Sequence, residues 1–265
     1  MSFKEKYGPW AFVAGASEGL GEAYAKSLAK RGLNLVLMAR GKEKLERTAG
    51  FLTNYNIEVK LLASDLANDD VLDTIDRETK DLDIGFMVYN AAYGPVRSFL
   101  ANSVDQLEQH TNVNCRGPLL LSHYFGNRFK KRGKGGIILM SSLAGFQGTA
   151  LVAPYAATKA FDTILGESLY YELKEDNVDV MVCAAGATKT PNYLSTEPKY
   201  GFFKPSEHDP NFVTEGALNS MGSGPLFIPG GGNRFVHALF RLWPRRKASS
   251  EMSKNMMKIY DHMKA

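Results

Sequence analysis

Short apolar runs recur along the chain at 10–14, 33–39, 58–63, 84–90, 136–140 and 178–184, with a shorter one at 226–228. Several are continuous, as in Leu35-Val36-Leu37-Met38 and Ile137-Ile138-Leu139-Met140. Strands buried on both faces read this way, whereas half-exposed strands alternate apolar with polar positions. Between the runs lie stretches of helical periodicity near 20–31, 42–54, 68–80, 103–132, 155–176 and 210–221. Strand and helix in alternation predict an α/β fold, a doubly wound parallel sheet covered by helices. Right-handed crossovers then place ligands at the carboxyl ends of the strands.

The alternation breaks at 190–232, a region rich in Pro, Gly and aromatic residues. It is read either as a substrate loop or as an irregular surface excursion. Beyond it, 233–243 looks helical, Pro244 interrupts, and 249–263 reads as a final helix. The expectation is one domain over 1–265, with a substrate-loop region at 190–232 and a C-terminal helical extension at 233–265. The length suits this, because single α/β domains run past about 200 residues and bury a core without disulfides or metals.

Composition narrows the class. The chain is 44% hydrophobic and 23% charged, with a net charge of +4. That charge is too small and scattered for nucleic acid, though it suits an anionic ligand. Cys115 and Cys183 lie in apolar surroundings and read as free thiols. The start, Met1-Ser2-Phe3-Lys4-Glu5-Lys6, lacks the apolar core of a signal peptide. No apolar run approaches the ~20 residues that cross a bilayer, so a reducing cytoplasm is expected. The histidines have no metal-ligand spacing, and no metal is expected.

A glycine-rich turn follows the first run directly: Gly15-Ala16-Ser17-Glu18-Gly19-Leu20-Gly21, with a helical pattern immediately after. Glycines let a backbone approach a pyrophosphate, and the following helix N-terminus offers free N–H groups and a positive dipole. A plain tight turn has the same composition, but the strand before and the helix after favour a dinucleotide site. At the end of the second run stands Arg40, with Lys42 nearby and no acid before Glu43. An acid there selects the ribose 2′-hydroxyl of NAD, whereas a guanidinium can hold a 2′-phosphate through two hydrogen bonds. NADP(H) is therefore expected over NAD(H), although the Glu18 carboxylate in the turn opposes a phosphate. Asp65, after the third run, either meets the adenine or caps the helix near residue 68.

The strongest candidate chemistry is Tyr155-Ala156-Ala157-Thr158-Lys159. Residues four apart on a helix share a face, so the phenol and the ammonium point into one space. Free phenols ionise near pH ~10, too high for easy proton exchange at neutrality, and a neighbouring cation favours the phenolate. The run before it ends Met140-Ser141-Ser142. Either serine can bond a substrate oxygen, or cap local backbone instead. Asn114 falls in an apolar part of helix 103–132. An amide there is costly unless paired, so it needs a partner, either structural or a water feeding a proton relay.

In order and spacing, Gly15-x-x-x-Gly19-x-Gly21, Asn90-Ala91, Asn114, Ser142 and Tyr155-x-x-x-Lys159 resemble the short-chain dehydrogenase/reductase family from about residue 8 to 190. The resemblance implies a Rossmann-like fold and reversible hydride transfer between NADP(H) and a secondary alcohol or ketone. It implies a catalytic tetrad of Asn114, Ser142, Tyr155 and Lys159. It also implies cofactor contacts from Gly15, Ser17, Glu18, Gly19, Leu20, Gly21, Arg40, Asp65, Leu66, Asn90, Ala91, Gly186, Thr188 and Thr190, beside Tyr155 and Lys159. Of these, Thr190 is the residue whose hydroxyl would meet the nicotinamide amide. Three positions depart from the family pattern: Ala14 for a common threonine, Tyr89-Asn90-Ala91-Ala92 for Asn-Asn-Ala-Gly, and Ala185-Gly186 for Pro-Gly. None touches the tetrad.

Within the family the chain is most similar in appearance to bacterial hydroxysteroid dehydrogenases, notably those acting at the 7β position of bile acids. Glu5-Lys6-Tyr7-Gly8-Pro9-Trp10, Arg40-Gly41-Lys42-Glu43-Lys44-Leu45, Gly85-Phe86-Met87 and Gly186-Ala187-Thr188-Lys189-Thr190-Pro191 carry that likeness. The glycine turn and Arg40 also resemble the branch that reduces ketosteroids and long-chain 3-ketoacyl thioesters with NADPH. Both imply a bulky, apolar substrate. Tyr193, Tyr200, Phe202 and Phe203 either wall it or pack the loop onto the core.

Two alternatives stand beside this reading: a long-chain 3-ketoacyl reductase at a membrane surface, and an NADP(H)-sensing protein without chemistry. The intact tetrad argues against the second. Phe235 to Trp243, followed by Arg245-Arg246-Lys247, is apolar then basic. It is expected to pack on its own domain or on a sister subunit, with membrane-surface contact as the alternative. Family analogy implies a homodimer or homotetramer.

Overall fold

Each predicted run becomes a strand of one parallel sheet in the computed structural model, which describes residues 1–200 and 204–263. In chain order the elements are α1 (Phe3–Tyr7), β1 (Trp10–Ala14), α2 (Gly19–Lys30), β2 (Asn34–Ala39), α3 (Lys42–Gly50) and β3 (Val59–Ala63). Then come α4 (Val71–Thr79), β4 (Ile84–Tyr89), α5 (Val104–Thr111), α6 (Gly117–Arg132), β5 (Gly135–Ser142) and α7 (Ala153–Glu172). The last are β6 (Val178–Ala185), α8 (Pro191–Leu194), α9 (Pro210–Asn219), β7 (Leu226–Phe227), α10 (Gly231–Arg241) and α11 (Arg245–Ile259).

The strand order is β3-β2-β1-β4-β5-β6-β7. The chain adds β2 and β3 on one side of β1, then returns to build β4 to β7 on the other. Connections leaving β1 and β4 therefore part in opposite directions, which opens a crevice at their carboxyl ends.

Strand side chains alternate between faces, and helices bury both. Val13, Leu35, Leu37 and Val88 join Tyr24 and Leu28 of α2 and Val213 of α9 in one core. Phe12, Val36, Met87 and Ile137 join Ile75 of α4 and Phe125 and Phe129 of α6 in the other. Full burial of each such side chain stabilises by roughly 1.5–3 kcal/mol. This two-sided covering is why the strands read as continuous apolar runs. The two edge strands are the exceptions: only Leu62 of the five residues of β3 is buried, and neither residue of β7.

Several expected helix boundaries shift. The single helix expected at 103–132 is interrupted by a π-helical turn over Asn112–Arg116. The Tyr89 hydroxyl donates to the Val113 carbonyl at 2.5 Å, and the Gly117 N–H reaches back to the Asn112 carbonyl instead. A Cβ on Gly117 would stand 2.0 Å from the Tyr89 Oη, so only glycine admits the phenol. Tyr89, one of the departures from the family pattern, thus shapes the turn that carries Asn114. The final helix begins directly after Pro244, four residues before its expected start at 249. Asp65 caps no helix: α4 starts at Val71, and Asp65 Oδ1 instead accepts the Ala67 N–H at 2.9 Å.

Both cysteines are free; Cys183 is buried but Cys115 only partly so. Burial pushes their thiols up, to about 11 for Cys115 and about 12 for Cys183. No helix among the described residues is long and apolar enough to cross a membrane.

Candidate active site

The glycine turn sits at the crevice because backbone bonds hold both of its sides. Gly15 and Ala16 donate to the Met38 carbonyl of β2 at 2.8 and 3.1 Å. Asn90 and Ala91, just past β4, both donate backbone N–H to the Ala14 carbonyl at 3.0 Å. The Asn90 side chain adds a bond to the Gly15 carbonyl at 2.9 Å. Gly15 has φ +79°, and a Cβ there would lie 2.6 Å from the Ala91 backbone. A Cβ on Gly21 would stand 1.9 Å from the Gly15 carbonyl oxygen, so α2 packs hard on the turn. These glycines are required by close approach.

The turn ends in a helix start with no cap of its own. Glu18 is the N-cap of α2, and its side chain makes no capping bond. The first N–H groups of α2 therefore receive no bond from the N-cap side chain, which fits an anion there. Glu18 turns to Lys44 instead, 2.7 Å away, which offsets the negative charge expected to oppose a phosphate. The Ser17 carbonyl accepts from Thr48 at 3.3 Å, and Leu20 packs partly buried against the core. Arg40 lies past β2, its side chain 65% exposed and 3.9 Å from Asp65. Leu66 is buried in the core, so only its backbone can face a ligand.

The loop after β6 closes over the other side. A Cβ on Gly19 would touch Thr190 at 3.0 Å. The Thr190 hydroxyl accepts the Tyr193 N–H at 3.2 Å and so caps α8. Buried Thr188 donates to the Gly186 carbonyl at 3.0 Å. Of the four aromatic residues noted in this region, the Tyr193 and Tyr200 hydroxyls bond each other, and Tyr193 also donates to Glu207 at 3.0 Å. Burial raises both phenols above their usual range. These two rings tie the loop together; Phe202 and Phe203 lie outside the described residues.

On α7, Tyr155 and Lys159 share a face as their spacing requires, with Nζ 5.8 Å from the phenol ring centroid. Lys159 Nζ donates to the Met140 carbonyl at 2.7 Å and to Asp162 Oδ2 at 2.9 Å. Burial works against its charge, but the Asp162 carboxylate outweighs it and holds the ammonium above the usual lysine range. Asp162 is itself buried, and its Oδ1 has no hydrogen-bond partner among the described residues.

The two serines separate cleanly. Ser141 is buried and bonds the Lys159 carbonyl and the Thr163 hydroxyl, each at 2.7 Å. Ser142, half-buried at the last position of β5, accepts the Ala144 N–H at 3.2 Å. Adjacent strand residues face opposite ways, so Ser141 points into the α7 packing and Ser142 away from it.

Asn114 finds structural partners. Its carboxamide donates to the Tyr93 carbonyl at 2.7 Å and to Thr158 Oγ1 at 3.0 Å, and accepts the Tyr93 N–H at 2.7 Å. It thereby ties the loop after β4 to the turn of α7 between Tyr155 and Lys159.

Two residues of this cluster escape sequence reasoning. Gly94 lies flat against the phenol: a Cβ there would be 2.5 Å from Tyr155 Cδ2. Nothing local in the sequence marks it. Asp162 was legible in principle, as a lone acid three residues after Lys159 in an apolar stretch.

Known proteins share the fold. The short chain dehydrogenase family model matches residues 9–200. The 7beta-hydroxysteroid dehydrogenase of Clostridium sardiniense is 34% identical, over 99% of this chain and 100% of its own. A solved 7beta-hydroxysteroid dehydrogenase superposes with a TM-score of 0.88 at 28% identity, covering 95% of this chain and 99% of that one. A short-chain dehydrogenase from Sphingobium yanoikuyae, solved in complex with NADPH, gives 0.78 at 27% identity over 87% and 91%.

Proposed function

The chain belongs to the short-chain dehydrogenase family, and from that premise we propose that it is an NADP(H)-dependent oxidoreductase acting on a hydroxysteroid of the bile-acid type. One observation carries the reading: Tyr155 and Lys159 meet on one face of α7, at the end of the sheet where β5 delivers Ser142. The whole-chain similarity to a 7beta-hydroxysteroid dehydrogenase supports the substrate class.

The cofactor fits a cradle of this chain's own making. The glycine turn and the uncapped start of α2 would hold the pyrophosphate. Arg40 would hold the 2′-phosphate. Its exposed 3.9 Å contact with Asp65 is worth less than about 1 kcal/mol and is easily exchanged. When bound, the nicotinamide supplies the hydride for reduction and accepts it in oxidation. In reduction Tyr155 gives its phenolic proton to the carbonyl oxygen, and in oxidation its phenolate takes the proton back. Ser142 orients that oxygen. Lys159 places a positive charge beside the phenol and would hold the nicotinamide ribose. The Asn114 side chain, fully engaged with protein, positions the loop after β4 and α7.

A substrate panel tests the proposal. NADPH consumption is expected with 7-keto bile acids and not with long-chain 3-ketoacyl thioesters; the reverse preference would move the substrate to the acyl branch. Arg40→Ala is expected to weaken NADPH by about tenfold to a hundredfold, the loss of a charge-assisted bond, with NADH nearly unchanged. Equal losses in a cofactor titration would place the arginine elsewhere. The serines should divide likewise. Ser142→Ala is expected to lower kcat by about a hundredfold, with only the loss of the Ala144 capping bond felt in the melting temperature. Ser141→Ala should instead lower stability by about 1–3 kcal/mol while each folded molecule turns over normally. Calorimetry and steady-state rates on both variants check this pair.

A further inference from the structure

Packing on its own domain leaves part of the C-terminal extension exposed. Helix α10 rests on the domain along one narrow edge. Asn233 donates to the Pro229 carbonyl at 3.0 Å, and His237 lies against Phe146 with ring centroids 4.1 Å apart. The opposite edge carries Phe235, Leu239 and Leu242 at helical spacing, exposed by 70%, 39% and 82%. Val236 beside them is also exposed. An apolar stripe this open on an ordered helix calls for a partner.

The surrounding charge identifies the partner's chemistry. Residues 231–250 contain Arg234, Arg241, Arg245, Arg246 and Lys247 and no acidic residue. All five are exposed. Trp243 lies between the apolar stripe and the basic cluster, with Lys247 Nζ 4.5 Å over its ring. A second copy docked on this helix about a twofold axis would bring the same cations against themselves. An anionic lipid surface takes both features at once: headgroups meet the arginines while the stripe enters the acyl boundary.

We propose that α10 and the start of α11 dock this protein reversibly on anionic membranes. The position of α11 gives the docking a use. Ser249 donates to the Gly148 carbonyl at 3.0 Å, and Ser253 accepts the Ala150 N–H at 3.1 Å. The Lys199 N–H reaches the Ile259 carbonyl at 3.1 Å. The extension is thus bonded to the loops that leave β5 and β6, at the end of the sheet holding Tyr155. Docking would bring the cleft to the phase into which an apolar ketone or alcohol partitions. That use rests on the proposed function, whereas the docking itself does not.

Flotation of the full chain with vesicles, read without any enzyme assay, separates the two. Binding is expected to vesicles of phosphatidylglycerol with phosphatidylcholine, and to fall at least about tenfold on pure phosphatidylcholine or in high salt. A Phe235→Ser/Leu239→Ser/Leu242→Ser variant and an Arg245→Glu/Arg246→Glu/Lys247→Glu variant should each remain in the soluble fraction. Both should keep wild-type kcat on a water-soluble ketone. Absence of wild-type flotation on anionic vesicles would overturn the proposal, as would flotation of either variant at the wild-type level. A serine variant that dissociates into smaller species on size exclusion, with flotation unchanged, would assign the stripe to a second copy.

Discussion

Tyr155→Phe is expected to lower kcat by about a thousandfold or more while changing NADPH affinity by less than about twofold. The substitution removes one oxygen and leaves the ring. Gly94 sets the ring's place by lying against it, in a space where a Cβ would be 2.5 Å from Cδ2, and phenylalanine keeps that contact. What disappears is the proton that the proposed reaction takes from Tyr155. Steady-state rates beside a cofactor titration check it, and turnover near the wild-type rate would remove Tyr155 from the chemistry. Gly94→Val should reach the same loss by displacing the ring, with Tyr155 itself untouched.

Lys159→Met is expected to have two separable effects, on rate and on stability. The rate should fall by about a hundredfold or more, because the phenol loses the cation beside it. Stability should fall by about 3–5 kcal/mol, because the Asp162 carboxyl would be left buried in the core without its partner. The Asp162 side chain is 1% exposed and 2.9 Å from Nζ, so water cannot replace the ammonium. The raised lysine pKa means the ammonium's contribution is full below the unfolded value near pH ~10.4 and is lost as pH rises past the folded one, while burial raises the Asp162 carboxyl and weakens the pair towards acid pH. At neutrality the ammonium's contribution is therefore present. Adding Asp162→Ala to Lys159→Met should restore most of the stability and none of the rate. Urea denaturation of the single and double variants checks this. A double variant as unstable as the single would mean that the buried charge is not what holds this part of α7.

What was legible in the sequence follows from the range of the forces involved. The strands were readable because burial on both faces leaves an unbroken apolar run, as in Leu35 to Met38. The phenol and ammonium were readable because four residues on a helix bring them together wherever the helix lies. The glycine turn was readable from its place between β1 and α2. What escaped depends on contacts between distant segments. Gly94 meets Tyr155 only after the β4 loop folds over α7, and the π-helical turn exists because Tyr89, on β4, reaches Val113. Ser142 and Ser141 could not be separated by composition; strand alternation divides them once β5 is paired. Which residues of α10 stay exposed was not legible, because its apolar residues look alike whichever way the helix turns.

The most direct measurement follows a label. The protein would be incubated with a 7-keto bile acid and NADPH deuterated on both faces of its transferable nicotinamide carbon, and the alcohol product weighed by mass spectrometry. The expected product carries a single deuterium on the new carbinol carbon, and Tyr155→Phe forms almost none of it. Product without the label, or no alcohol from any ketosteroid or ketoacyl substrate offered, would contradict the assignment of this site to hydride transfer.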